Sequence, residues 1–73
     1  MDLVALLGRN VRKHRQTLGL SQEQLALEAG MKPSYVSELE RGLRNLSVRA
    51  LGRLADALEI DPALLLTASE LQP

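Results

Sequence analysis

Residues 22–41, QEQLALEAGMKPSYVSELER, decide how this chain folds. They read as two short helices separated only by Gly30-Met31-Lys32. Ser21 and Gln24 have the spacing of a capping box, and Leu20 and Leu25 that of a hydrophobic staple, so one helix begins at Ser21 and ends at Gly30. Pro33, a favoured first-turn residue, opens the next, which ends before Gly42. So tight a join makes the two helices cross steeply, and three requirements follow. A small residue must stand where they touch, and Ala26 does. The turn needs a residue that accepts positive φ, which Gly30 does without steric cost. Apolar side chains must close the angle from both sides, and Leu25, Ala29, Met31, Val36 and Leu39 are placed for that.

The flanks extend the helical reading. Leu3, Leu7, Val11, His14 and Leu18 recur at helical spacing, predicting a first helix from Leu3 to Leu18 closed by Gly19. Gly8 counts against that helix on propensity alone. Ser47 caps a fourth helix that carries Leu51, Leu54, Ala55 and Leu58 on one stripe. Asp61-Pro62, a cap followed by a first-turn proline, opens a fifth with Leu64 to Leu66. No stretch alternates with period two. The expected fold is all-α, a compact five-helix bundle, with residues 1–73 forming a single domain.

The chain has 73 residues, no cysteine and one histidine. A domain this small buries only about 60% of the surface that its unfolded chain exposes, so its core is thin. Without cysteine there is no disulfide and no cysteine-bound zinc, and His14 alone cannot supply a histidine metal cluster. Oligomerisation is the remaining supplement. No apolar run approaches the roughly 18 residues of a membrane span. The opening MDLVALL lacks a basic region before it and a small-residue cleavage site after it, so a cytoplasmic protein is expected, not a secreted one. No cofactor and no membrane partner are expected.

The net charge is zero, but its distribution is uneven. All nine basic residues lie at or before Arg53 together with five acids, which leaves +4. Beyond Arg53 stand Asp56, Glu59, Asp61 and Glu70 and no base, which leaves −4. A basic body of this kind suits a polyanion, and the acidic end suits another role.

Two short helices crossing at a small residue through a glycine turn form the physical pattern of a helix-turn-helix. The run Gly19-Leu20-Ser21-Gln22-Glu23-Gln24-Leu25-Ala26, then Ala29-Gly30, then Tyr35-Val36-Ser37-Glu38-Leu39-Glu40-Arg41-Gly42, resembles the Cro/phage-repressor-type helix-turn-helix (XRE) family, with a lambda-repressor-like fold. Arg44-Asn45, Ser47 and the stripe of the fourth helix extend the likeness to roughly residues 8 to 66. Ser-Tyr-Val-Ser in the third helix and Gly-x-Arg-Asn after it are most similar to the controller proteins of restriction–modification systems. The resemblance implies a transcription regulator, repressor or activator, that binds double-stranded DNA as a homodimer on a two-fold symmetric operator. It implies no enzyme. RNA polymerase is a further candidate partner.

Site residues follow from the resemblance and from side-chain chemistry. Lys32, Pro33, Ser34, Ser37 and Glu38 lie on the outer face of the third helix, which in the family enters the major groove. Serine can donate to or accept from a base edge, glutamate can accept from cytosine N4, and Pro33 offers only apolar contact, as with a thymine methyl. Many relatives carry a long polar side chain where Pro33 stands. Gln22 opens the second helix, where free N–H groups and the helix dipole favour phosphate. Arg15 precedes that helix at the family spacing, and Arg41, Arg44 and Asn45 flank the turn where relatives grip the DNA backbone. Tyr35, the sole aromatic residue, is expected to place its phenol on phosphate or sugar. His14 is expected to be a partly buried packing residue, since no carboxylate stands at helical spacing to make it catalytic. Ile60, Leu64, Leu65, Leu66 and Leu71 exceed what the last helix needs for itself, and residues 60 to 71 are the expected dimer interface. The rival reading is a protein-interaction module, such as an antitoxin, whose acidic, leucine-rich end binds another protein.

Overall fold

A computed structural model of the protein describes residues 1–68. Four α-helices, α1 (Leu3–Thr17), α2 (Gln22–Ala29), α3 (Pro33–Glu40) and α4 (Val48–Leu58), are followed by one 3-10 turn, Pro62–Leu66. The fifth helix expected from Asp61-Pro62 is thus a 3-10 turn: Asp61 caps it by accepting from the Ala63 N–H at 2.8 Å, but the segment is too short for an α-helix to become established. There are no strands among the described residues.

Local signals explain most of the boundaries. The capping box is present in both directions, with the Gln24 N–H donating to Ser21 Oγ at 3.0 Å and the Ser21 N–H donating to Gln24 Oε1 at 2.7 Å. Gly30 ends α2 at φ 69°, and the Met31 N–H behind it donates to the Ala26 carbonyl at 2.8 Å. Ser47 caps α4 through the Ala50 N–H at 3.0 Å. Asp2 caps α1 by accepting from Val4 and Ala5, a start signal beyond the apolar spacing.

The core lies where α1, α2, α3 and α4 converge. Leu7, Val11, Leu25, Ala26, Ala29, Val36, Leu39, Leu54, Ala55, Leu58 and Leu65 form one buried cluster, with Met31, Leu51 and Ile60 packed against its edge. Ala26 is fully enclosed, as the steep crossing of α2 and α3 requires. Three expectations are corrected. Leu3 and Leu18 fall at either end of the α1 stripe yet are 53% and 44% exposed, because the core spans only the middle of that helix. Gly8 is no liability: a methyl group there would run into the Leu39 carbonyl oxygen and stand 3.0 Å from that of Glu40, so its bare backbone lets α1 lie against the end of α3. Leu65 is wholly buried, whereas Leu64 and Leu66 on either side are 45% and 43% exposed. Leu65 is therefore a core residue and leaves the set of interface leucines, and Ile60 is half-buried against the core. Leu71 lies outside the described residues.

Asn10 holds the end of the chain in place. It is a buried polar residue, and its Nδ2 donates to the carbonyls of Leu65 at 2.9 Å and Thr67 at 3.0 Å. Both of its N–H groups are thereby satisfied, which removes the cost of burying the amide. The 3-10 turn is fastened to α1 by polar bonds as well as by Leu65.

His14 is partly buried, as expected. Burial, and then the adjacent Lys13, hold its imidazole below the ordinary 6.5. The unfolded chain therefore takes up a proton more readily than the folded one between that lowered value and 6.5. Stability should be fully present above pH 6.5 and fall as the pH drops through this window, because charging the ring favours the unfolded state. Urea midpoints measured between pH 7.5 and 5 should show the decline, and His14→Gln should reduce it; an unchanged decline would place its origin elsewhere.

Candidate nucleic-acid interface

The short turn Gly30-Met31-Lys32 presents the start of α3 on the surface. Val36 and Leu39 anchor its inner side in the core, which leaves Lys32, Pro33 and Ser34 exposed and Ser37 and Glu38 half-exposed. No side chain caps this end, because Lys32 occupies the cap position and Pro33 the first turn. The helix is flanked by two open concavities. Gln22, Pro33, Ser34 and Ser37 line one, between α2 and α3, with Arg15 reaching into it. Lys32, Ser34, Tyr35, Arg44 and Arg53 line the other, between α3 and α4. Ser34 belongs to both, so the start of α3 forms a ridge with polar and basic groups on each side.

Under the first concavity lies an ion-pair network. Arg15 donates through Nε to Glu40 Oε2 at 2.6 Å and through Nη2 to Glu40 Oε1 at 3.0 Å. Its Nη1 donates to the Leu20 carbonyl at 2.8 Å, and Gln22 Nε2 donates to Glu40 Oε1 at 3.0 Å. The side chains of Arg15 and Glu40 are only 11% and 4% exposed. This fork joins α1, the start of α2 and the end of α3. Three faces of the Arg15 guanidinium are committed inside the protein, so the phosphate role expected of it is replaced by a structural one. Gln22 keeps its place beside the ridge, with its amide oriented by Glu40.

Tyr35 and Arg44, which line the second concavity, belong to a chain of polar contacts. Arg44 Nε donates to Glu38 Oε1 at 2.8 Å, and the Arg44 guanidinium lies 5.0 Å above the centre of the Tyr35 ring. The Tyr35 hydroxyl donates to the Asn45 carbonyl at 3.3 Å. The hydrogen bond from Arg44 to Glu38, and then the charge of Glu38, raise the Arg44 guanidinium above its already high ordinary value. The phenol expected to face phosphate thus holds the 41–47 loop, while its ring face supports Arg44. Arg41, at the far end of α3, and Asn45 are exposed, and Asn45 also borders an apolar groove. The sequence reading missed Arg53, whose only signal was its place as the last base before the acidic end, on the polar side of the α4 stripe.

A further, more apolar hollow involves Leu66. Leu66 lines an open groove of about 310 Å³ together with Leu3, Val4, Leu7, Leu46, Val48 and Leu51. Groove and concavity meet at Ser47, which lines both: Val48 and Leu51 of α4 border the groove, Ala50 and Arg53 the concavity beside α3.

Residues 11–65 match the family model described as Helix-turn-helix. This chain belongs to the helix-turn-helix family. A helix-turn-helix-type transcriptional regulator of Sinorhizobium fredii, y4dJ, is 38% identical to it over 73 residues, covering 100% of this chain and 95% of that protein. The control protein C.SmaI of Serratia marcescens is 40% identical over 72 residues, covering 99% of this chain and 86% of that one. The crystal structure of the restriction–modification controller protein C.AhdI of Aeromonas hydrophila superposes with a TM-score of 0.83 at 44% identity, covering 85% of this chain and 94% of that one. In the frame of this helix-turn-helix family, α2 and α3 are the two helices of the motif. No helix among the described residues is long and apolar enough to cross a membrane.

Proposed function

We propose that this helix-turn-helix protein regulates transcription as a cytoplasmic homodimer that binds a two-fold symmetric operator and controls a restriction–modification operon. The ridge at the start of α3, flanked by two open concavities that hold polar and basic side chains, is the observation that supports this most. A convex helix start fits a major groove, and the groups beside it lie where the two phosphate strands would run. Lys32, Pro33, Ser34, Ser37 and Glu38 are the proposed base readers. Gln22, Arg41, Arg44 and Asn45 are the proposed phosphate contacts, with Arg53 added and Tyr35 as a support for Arg44. Occupancy is the mechanism: the bound dimer blocks RNA polymerase or positions it, according to where the operator lies.

The proposed dimer face is the groove bordered by Leu66 together with the neighbouring Leu64. A second copy would cover apolar surface that a lone domain leaves wet. Leu64→Glu combined with Leu66→Glu should give a folded monomer, whereas Leu65→Glu would disturb the core.

Titration of a labelled duplex from the region upstream of the gene tests the reading. Two protomers per site are expected. If Arg41, Arg44 and Arg53 meet phosphates in both protomers, the slope of log affinity against log salt should be on the order of −5. A slope near zero, or binding by one protomer alone, would contradict the proposed interface.

A further inference from the structure

Glu38 is an unusual neighbour for a surface that meets a polyanion, and its carboxylate is already occupied. It accepts from Arg44 Nε at 2.8 Å, while the Tyr35 ring supports the same guanidinium from below at 5.0 Å. Both charged side chains keep substantial exposure, 50% for Arg44 and 37% for Glu38, so neither is locked in place. In the free protein the carboxylate sits where a phosphate would otherwise satisfy Arg44. DNA cannot take Arg44 without leaving Glu38 unpartnered close to negative charge. A carboxylate offers only acceptors, so what relieves it is a donor on a base edge, such as the exocyclic amino group of cytosine.

We infer that Glu38 and Arg44 form an exchange pair that sets specificity: the pair separates at low cost only on a site that offers Arg44 a phosphate and Glu38 a base amino group. This rests on the DNA-binding reading above and assigns it a discriminating device. On other sequences Glu38 either keeps Arg44 from the backbone or is left repelling it. Either way, non-specific binding is weakened more than operator binding. The exchange also alters the salt dependence. A released Glu38 gathers cations as DNA sheds them, so each protomer contributes less to the salt slope than its count of phosphate contacts suggests.

The test compares the full-length wild type, Glu38→Gln, Arg44→Ala and the double variant on two duplexes, the selected operator and a shuffled sequence of equal length. Circular dichroism verifies that each variant is folded, as the exposure of both side chains leads us to expect. An exposed ion pair is weak, but it is lost in both protomers, so Glu38→Gln should tighten binding to the shuffled duplex by roughly tenfold. The preference for the operator should shrink by at least as much. The salt slope should steepen by about one for each protomer. Both changes should vanish in the Arg44→Ala background. Equal tightening with and without Arg44 would overturn the exchange, because Glu38 would then act through its charge alone. An unchanged affinity for the shuffled duplex would overturn it too, leaving Glu38 a base reader only. A wild type that binds neither duplex would instead overturn the DNA-binding reading, and the exchange with it.

Discussion

Arg15→Ala should destabilise the fold by about 3–5 kcal/mol, because it leaves the buried Glu40 carboxylate without its cation and with only the Gln22 amide to hold it. A domain of this length is expected to have a total stability of about 4–11 kcal/mol, so the variant should lose a large share of it and unfold at a much lower urea concentration. The loss is not that of an exposed ion pair. The Arg15–Glu40 fork links residues 25 positions apart, and Arg15 also satisfies the Leu20 carbonyl before α2. Replacing both charges, as in Arg15→Met with Glu40→Leu, should recover much of the loss, since an apolar pair of similar volume needs no desolvation of charge. Urea unfolding followed by circular dichroism reads both. A single-variant loss below about 1 kcal/mol would show that water reaches the pair and that the fork is not structural.

Gly8→Ala comes second. In an exposed helix interior this exchange adds up to about 1 kcal/mol of stability. Here the sign should reverse, to a loss of about 1–3 kcal/mol, because the added methyl group meets the Leu39 carbonyl and the backbone of α3 must move away. The displaced element is α3, the proposed base-reading helix, so operator affinity should fall along with stability. Gly52→Ala supplies the contrast. Nothing lies within 4 Å of a methyl group there, and α4 should gain up to about 1 kcal/mol. Thermal or urea midpoints that move the same way for both variants would refute the close approach of α1 to α3.

Features that rest on local chemistry were legible from the residues alone. The Ser21–Gln24 box, the Gly30 turn, the Pro33 start and the Ser47 cap each act within a few positions, and together they place α2, α3 and α4. What was not legible depends on pairs distant in the chain. Propensity scores Gly8 as a flaw because the neighbour that requires it belongs to α3. Arg15 reads as a surface base until Glu40 is folded back onto it, and Asn10 gives no sign that it will hold the carbonyls of Leu65 and Thr67. Three consecutive leucines in a single short turn carry no periodicity, so the buried Leu65 could not be told from its exposed neighbours. The end of α4 is marked by no glycine, since Glu59 itself takes the left-handed conformation at φ 60°.

For the candidate site, the outer face of α3 could be read from the buried Val36 and Leu39, which fix which side is left to solvent. The partners of its charged groups could not. Glu38 and Arg44 meet only because the 41–47 loop folds back towards α3, through the Leu43 N–H on the Glu38 carbonyl at 2.9 Å and the Tyr35 hydroxyl on that of Asn45.

Binding selection from a randomised duplex library tests the central claim, that the start of α3 reads bases in the major groove for a two-fold symmetric dimer. The wild type should enrich palindromic sites whose half-sites lie about one DNA turn apart, roughly 34 Å. Ser34→Ala or Ser37→Ala should relax the preference at a symmetric position in each half-site, by about 1–3 kcal/mol at most, while Arg41→Ala lowers affinity for all sites alike. Enrichment of no symmetric site, or serine variants that select the same bases as the wild type, would contradict the assignment of α3 as the reader.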